Sequence, residues 1–132
     1  MKFKGKVSLV SACGRGIGKE IAVALAREGS DLAINSFSEL NTEALARELE
    51  GLGVKVVAVP GDITKSSLIV DMVSKALDTF GRIDILVNNV GGGAAAEVDD
   101  KDNPLAEVES VWDGTYEMSL KAPVLMLSLI HI

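Results

Sequence analysis

The stretch Val7-Ser-Leu-Val-Ser-Ala-Cys-Gly-Arg-Gly-Ile-Gly18 joins an apolar, β-branched run to a glycine-rich turn, and the turn opens a segment of helical period. Gly16 and Gly18 have no Cβ to hold a ligand away from the backbone, and the N–H groups that begin the next helix present partial positive charge to whatever lies before them. Strand, tight turn and helix N-terminus in that order make a cradle for a pyrophosphate. Gly14, Arg15, Gly16, Ile17 and Gly18 are the first candidate ligand contacts, and nucleotide binding is the first expectation of function.

With Val7–Ala12 as the first strand, three further apolar runs, Asp31–Asn35, Val54–Pro60 and Ile83–Asn88, alternate with stretches of helical period, so the chain reads as repeated β-α units. Ile17, Ile21 and Leu25 mark the expected apolar face of the first helix, Leu45, Leu49 and Leu52 that of the second, and Ile69, Val73, Ala76 and Phe80 that of the third. Gly29, Gly53 and Gly81 follow as stops. Strands apolar along their whole length suit a parallel sheet covered on both faces, and right-handed crossovers then give a doubly wound α/β arrangement of strand order 3-2-1-4. That order makes the carboxyl ends of strands 1 and 4 neighbours at the topological switch point, where such sheets bind ligands. The fourth strand ends there in Ile83-Asp-Ile-Leu-Val-Asn-Asn-Val-Gly91, setting the amides of Asn88 and Asn89 beside the glycine-rich turn.

Together these motifs resemble those of the classical short-chain dehydrogenase/reductases, whose first turn reads Thr-Gly-x-x-x-Gly-x-Gly and whose fourth strand ends in Asn-Asn-Ala-Gly. The resemblance covers residues 4–127, with Ser11 at the threonine, Ala12 at the first glycine and Val90 at the alanine. Serine keeps the hydroxyl, whereas a positive φ at Ala12 carries a strain cost unless Gly14 lets the loop rearrange. The resemblance implies a truncated doubly wound (Rossmann) domain that binds a nicotinamide dinucleotide and serves hydride exchange with an alcohol or carbonyl. It further implies that Asp62, with Ile63 beside it, hydrogen-bonds the adenine amino group, that Asn89, Val90 and Gly91 line the adenosine-ribose side, and that Asn88 braces neighbouring strands. Ser119 stands at the family's asparagine, which supports a proton relay; a hydroxyl still binds water but lacks the amide's separate donor and acceptor arms. Read without the resemblance, Asp62 is a turn or cap residue, and Thr64 is the expected N-cap of the third helix.

Ser11, Asn35 and Ser36 join the candidate cofactor contacts, and Arg15 in the turn, with Asn35 and Ser36 instead of an acid closing strand 2, favours NADP(H) over NAD(H). An acid there would bind the ribose 2′-hydroxyl and repel a 2′-phosphate, whereas a guanidinium pairs with that phosphate bidentately. The competing reading of Arg15 is a solvated loop residue with no ligand.

The 132 residues suffice for one domain, expected over residues 1–127, and 48% hydrophobic content with mean hydropathy +0.30 is ample for a core. A net charge of −6 offers no basic footprint for nucleic acid or an acidic membrane. The longest apolar stretch, 122–132, falls short of the roughly 18 residues of a span. Charge and hydropathy thus point to no nucleic acid and no membrane as partner, while the resemblance implies a small alcohol or carbonyl substrate in the parent and, through the family's pairing by its fourth and fifth helices, a homo-oligomeric parent. Cys13 is the one cysteine, so no internal disulfide forms and the cytoplasm is the expected compartment. Lys2, Lys4 and Lys6 ahead of Val10-Ser-Ala-Cys13 imitate a lipoprotein signal, but residues 7–12 are too short for its apolar core.

Residues 91–104, rich in glycine, alanine and aspartate, are expected to form a mobile loop over the crevice, with Asp99, Asp100 and Asp102 a solvated face and not a metal site. Cys13, Trp112 and Met118 are expected packing residues. Val111, Thr115, Met118, Ala122 and Leu125 keep the period of a fourth helix that Pro123 kinks or divides.

Carbonyl reduction needs an acid for the developing alkoxide, and the family uses a Ser with Tyr-x-x-x-Lys. Tyr116 is the one tyrosine, and Leu120 stands where the lysine should fall. The chain therefore reads as the amino-terminal part of an oxidoreductase, expected to be inactive alone, with strand 4 left as an apolar edge. Ser128-Leu-Ile-His-Ile132 is expected to be a non-native tail, since it resembles translated sequencing-adapter DNA. Two alternatives stand beside this reading: a non-catalytic dinucleotide-binding module, which the missing tyrosine motif favours, and a truncated product with no stable function.

Overall fold

Four parallel strands, β1 (Val7–Val10), β2 (Asp31–Ile34), β3 (Val56–Ala58) and β4 (Ile85–Val87), lie in the order β3-β2-β1-β4. The computed structural model describes residues 1–91 and 102–131, so most of the loop expected at 91–104, with Asp99 and Asp100, lies outside the described residues. β1 pairs with β2 from Val7↔Asp31 to Val10↔Ile34 and with β4 from Ser8↔Ile85 to Val10↔Val87. Every strand is shorter than its apolar run, and Ser11, Ala12, Asn35 and Asn88 lie beyond the strands in the loops at the carboxyl end of the sheet. β4 is an edge strand, and Ile85, Leu86 and Val87 are only half-buried.

Side chains alternate across the strands, and helices cover both faces. On one face Leu9 and Ala33 pack with Ile69, Met72 and Ala76 of α3 (Ser66–Phe80) and with Ala122 and Met126 of α5 (Ala122–Ile130). On the other, Leu32 and Ile34 meet Ala22 and Ala26 of α1 (Gly16–Arg27) and Leu45 and Leu49 of α2 (Glu39–Glu50). Each large aliphatic side chain fully buried in this way contributes roughly 1.5–3 kcal/mol before entropy is counted. Leu129 and Ile130, within the expected tail, form the end of α5 and pack against the α3 side of the core.

The buried face of α1 differs from the expected one. Ile17 is 74% exposed and Ile21 and Leu25 are only half-buried, whereas Gly18, Ala22, Val23 and Ala26 meet the sheet. Small residues bring the helix close to the strands, so the contact follows the glycine-alanine stripe instead of the bulkiest side chains. Leu52 lies beyond the end of α2 and is exposed. Trp112, expected to pack, is instead 73% exposed on α4 (Ala106–Tyr116), whose apolar residues are spread around the helix and which buries no residue fully.

Between α4 and α5 the backbone widens into a π-helical turn, Glu117–Lys121, where the Ala122 N–H bonds the Glu117 carbonyl five residues back. Pro123 has no N–H to give the Ser119 carbonyl, so the division it was expected to cause takes the form of one loosened turn. At the opposite end of the sheet, Asp84 accepts from the Val7 N–H at 2.9 Å, from Arg82 Nε at 2.8 Å and from Lys6 Nζ at 3.4 Å. The Arg82 hydrogen bond is the main reason its carboxyl is held down to about 2. No helix among the described residues is long and apolar enough to cross a membrane.

Candidate functional site

The turn after β1 is held from both sides by hydrogen bonds. Ser11 Oγ donates to the Val87 carbonyl at 3.4 Å and accepts from the Asn89 N–H at 3.2 Å. Asn89 Nδ2 donates to the Ala12 carbonyl at 3.0 Å. From the β2 side, Asn35 Nδ2 donates to the carbonyls of Val59 and Gly61 at 2.8 and 3.2 Å, while its Oδ1 accepts from the Ala12 N–H at 3.4 Å. Ser11 and Asn35 are thus buried residues whose polar groups position the turn. Cys13 fills the space beneath, donating to the Asn35 carbonyl at 3.3 Å, and burial pushes its thiol up to about 11.

Ala12 has φ +51°, the one positive value at a non-glycine among the described residues. A left-handed L-residue costs about 1–2 kcal/mol. Gly14 does not absorb that strain; its role is space, since a Cβ there would stand 2.3 Å from Ser36 Oγ. Gly16, at φ +59°, has nothing within 4 Å of a would-be Cβ, so the outer side of the turn is open.

Arg15 is the N-cap of α1, extended and exposed, with no side-chain capping bond and no acid in the first turn. The first N–H groups of a helix have no intrahelical acceptor, and an uncapped terminus facing a crevice is a site for an anion. α2 differs, because Ser38 Oγ accepts from the Asn41 N–H at 3.2 Å and Glu39 sits in its first turn.

A crevice with two lobes runs along the carboxyl ends of the strands. One lobe, about 610 Å³, opens over Gly14, Arg15, Gly16 and Ile17, between Ser36 on one side and Asn89 and Gly91 on the other. The second, about 430 Å³, lies among Asn35, Asp62, Ile63, Val90 and the π-helical turn. Ala12, Phe37 and Met118 border both. Ser119 Oγ is 3.9 Å from where a Cβ on Gly91 would stand, which puts the expected relay residue beside the first lobe. Met118, expected only to pack, lines the crevice, and Phe37 and Asn41 join it without having been anticipated. The available signal for Phe37 was an aromatic residue just beyond β2, the strand next to β1.

Asp62 Oδ1 accepts from the Thr64 N–H at 2.9 Å and from Thr64 Oγ1 at 2.7 Å, closing an Asx turn. The Thr64 hydroxyl lowers the Asp62 pKa most, against a smaller opposing effect of burial. Thr64 is therefore not the N-cap of α3; that position is Lys65, without a side-chain bond, because the Thr64 hydroxyl is already engaged. Asn88 Oδ1 is buried and has no hydrogen-bond partner among the described residues. Among the described residues no group of three His, Cys, Asp or Glu is placed to hold a metal.

The family model described as short chain dehydrogenase matches residues 6–131. An uncharacterized oxidoreductase of Thermotoga maritima is 34% identical over 126 residues, covering 96% of this chain and 47% of the relative. A 3-oxoacyl-[acyl-carrier-protein] reductase of Staphylococcus epidermidis is 35% identical over 118 residues, 88% of this chain and 46% of its own length. Among solved structures, a metagenomic short-chain oxidoreductase in complex with NADP superposes with TM-score 0.82 at 28% identity, covering 99% of this chain and 57% of that one. A hydroxysteroid dehydrogenase of Escherichia coli gives the same TM-score of 0.82 and 28% identity, over 98% of this chain and 52% of that one. The chain thus spans about half the length of the curated relatives it matches.

Proposed function

The chain belongs to the short-chain dehydrogenase family of oxidoreductases, and on that premise we propose that it forms the cofactor-binding part of an NADP(H)-dependent enzyme acting on an alcohol/carbonyl pair. The observation that carries the proposal is the juxtaposition, in one lobe, of an uncapped helix N-terminus, an open glycine turn and Arg15. A bound nicotinamide supplies or accepts the hydride; the residues of this chain bind and orient. The N–H groups of Gly16, Ile17 and Gly18 receive the pyrophosphate, and Arg15 receives the 2′-phosphate. Ser36 closes the ribose side without an acid to repel that phosphate, Asp62 receives the adenine amino group, and Asn89, Val90 and Gly91 line the adenosine. Ser119 holds a water of the proton relay. The parent is a cytoplasmic homo-oligomer with a small-molecule substrate, and relatives named as reductases or dehydrogenases of 3-oxoacyl and hydroxysteroid compounds support that substrate class.

The 132 residues contain no Tyr-x-x-x-Lys, with Leu120 four residues after Tyr116. This favours dinucleotide binding without turnover for the chain by itself, and keeps a non-catalytic binding module as the second reading. Thermal melting with and without NADPH tests the first claim, because a ligand that binds only the folded state raises Tm. The expected result is a rise with NADPH, a smaller one with NADH, and no NADPH oxidation with any carbonyl tried. No rise with either dinucleotide overturns the binding reading, and turnover overturns the account of the missing acid.

A further inference from the structure

Ala12 holds a left-handed backbone, φ +51°, that alanine adopts only at a cost. Strain of this kind persists where the surroundings over-determine it, and it gathers at sites that handle ligands. Here the surroundings are Asn35, whose Oδ1 accepts from the Ala12 N–H, and Asn89, whose Nδ2 donates to the Ala12 carbonyl. Both backbone polar groups of Ala12 are thus turned to the ends of the neighbouring strands. The residue is nevertheless only half-buried and, with Phe37 and Met118, borders both lobes of the crevice. What it presents at the junction of the lobes is its Cα and its methyl group. The fold does not require that methyl: Ala12 belongs to neither side of the hydrophobic core, and glycine takes the same backbone without strain.

We propose that Ala12 is a specificity-determining residue whose methyl group narrows the junction between the lobes and holds down affinity for a ligand that must occupy both. Ligands confined to one lobe are unaffected. The inference rests on the dinucleotide-binding reading above, in which the pyrophosphate lies over the glycine turn and the adenine beside Asp62, so that the ribose between them crosses the junction. Closely packed contacts respond to a single added methyl group, because the neighbouring atoms have to shift to admit it.

The test is calorimetric titration of the full chain as wild type, Ala12→Gly and Ala12→Asn, with NADP⁺ and with inorganic pyrophosphate. Overpacking of this size corresponds to roughly 5- to 150-fold in an equilibrium constant, and Ala12→Gly is expected to bind NADP⁺ more tightly by a factor in that range. Pyrophosphate, small enough for the first lobe alone, is expected to bind wild type and Ala12→Gly equally. Ala12→Asn separates bulk from strain. Asparagine tolerates the left-handed region better than alanine but is larger, so this variant is expected to bind NADP⁺ more weakly than wild type although its backbone is less strained. Circular dichroism confirms folding of each variant. NADP⁺ affinity that does not rise in Ala12→Gly, affinity that does not fall in Ala12→Asn, or an equal rise for NADP⁺ and pyrophosphate in Ala12→Gly overturns the inference and leaves dinucleotide binding standing. Failure of wild type and Ala12→Gly alike to bind NADP⁺ overturns both.

Discussion

The side-chain nitrogen of Asn89 that donates to the Ala12 carbonyl at 3.0 Å also occupies the space over Gly18, 2.4 Å from where a Cβ there would stand. The end of β4, the turn after β1 and the first turn of α1 therefore meet at one point without room for a methyl group. Ala12 O and Cys13 Cα would also lie 2.8 and 2.9 Å from that Cβ.

Gly18→Ala is accordingly expected to cost about 1–3 kcal/mol. Asn89→Ala alone removes one hydrogen bond and costs about 1 kcal/mol. Because the two backbone atoms remain in the way, Asn89→Ala does not rescue Gly18→Ala. Urea denaturation of the two single variants and the double variant checks this, and a double variant as stable as Asn89→Ala alone contradicts it.

Ala12 carries backbone strain that glycine relieves. Ala12→Gly removes a left-handed penalty of about 1–2 kcal/mol and returns about 0.4–1 kcal/mol of unfolded-state entropy, leaving a net gain of roughly 0.5–1 kcal/mol. The denaturation midpoint should rise at an unchanged slope.

Asp84 titrates at about 2 in the folded chain against an ordinary 3.8. A depressed folded value means that the unfolded chain binds the extra proton, so the stabilisation is complete above the ordinary value and is lost as pH falls through the folded one. The stability difference between wild type and Asp84→Asn should therefore shrink as pH is lowered from 3.8 to about 2, and hold steady at higher pH. A difference independent of pH across that window would rule out the Arg82–Asp84–Val7 arrangement as its source.

Arg15→Ala should weaken NADPH binding roughly 10- to 100-fold, the range of a charge-assisted hydrogen bond or two, while leaving NADH nearly unaffected. Equal losses for the two dinucleotides would mean that the guanidinium does not read the 2′-phosphate.

The strand order was legible because wholly apolar strands joined by right-handed crossovers give 3-2-1-4, and that order brings the glycine turn after β1 and the Asn-Asn end of β4 into one crevice. The face of α1 was not legible, since apolar size pointed to Ile17, Ile21 and Leu25, whereas close approach selected Gly18, Ala22 and Ala26. The same difference between residue type and tertiary geometry governs the site. Ser11 and Asn35 read as ligand contacts by position, yet their buried polar groups bind the turn. Thr64 read as a cap until Asp62, two residues earlier, took its hydroxyl. Asn41 gave no sequence signal, because it reaches the crevice only through the path of the β2–α2 connection.

The most direct test of the account is a titration of the isotopically labelled 132-residue chain with NADP⁺, followed by amide NMR. The account predicts the largest shifts at the amides of Arg15, Gly16, Ile17 and Gly18, with further shifts at Asp62, Asn89 and Gly91. No shifts at saturating NADP⁺, or shifts confined to the outer face of α4 around Trp112, would contradict it.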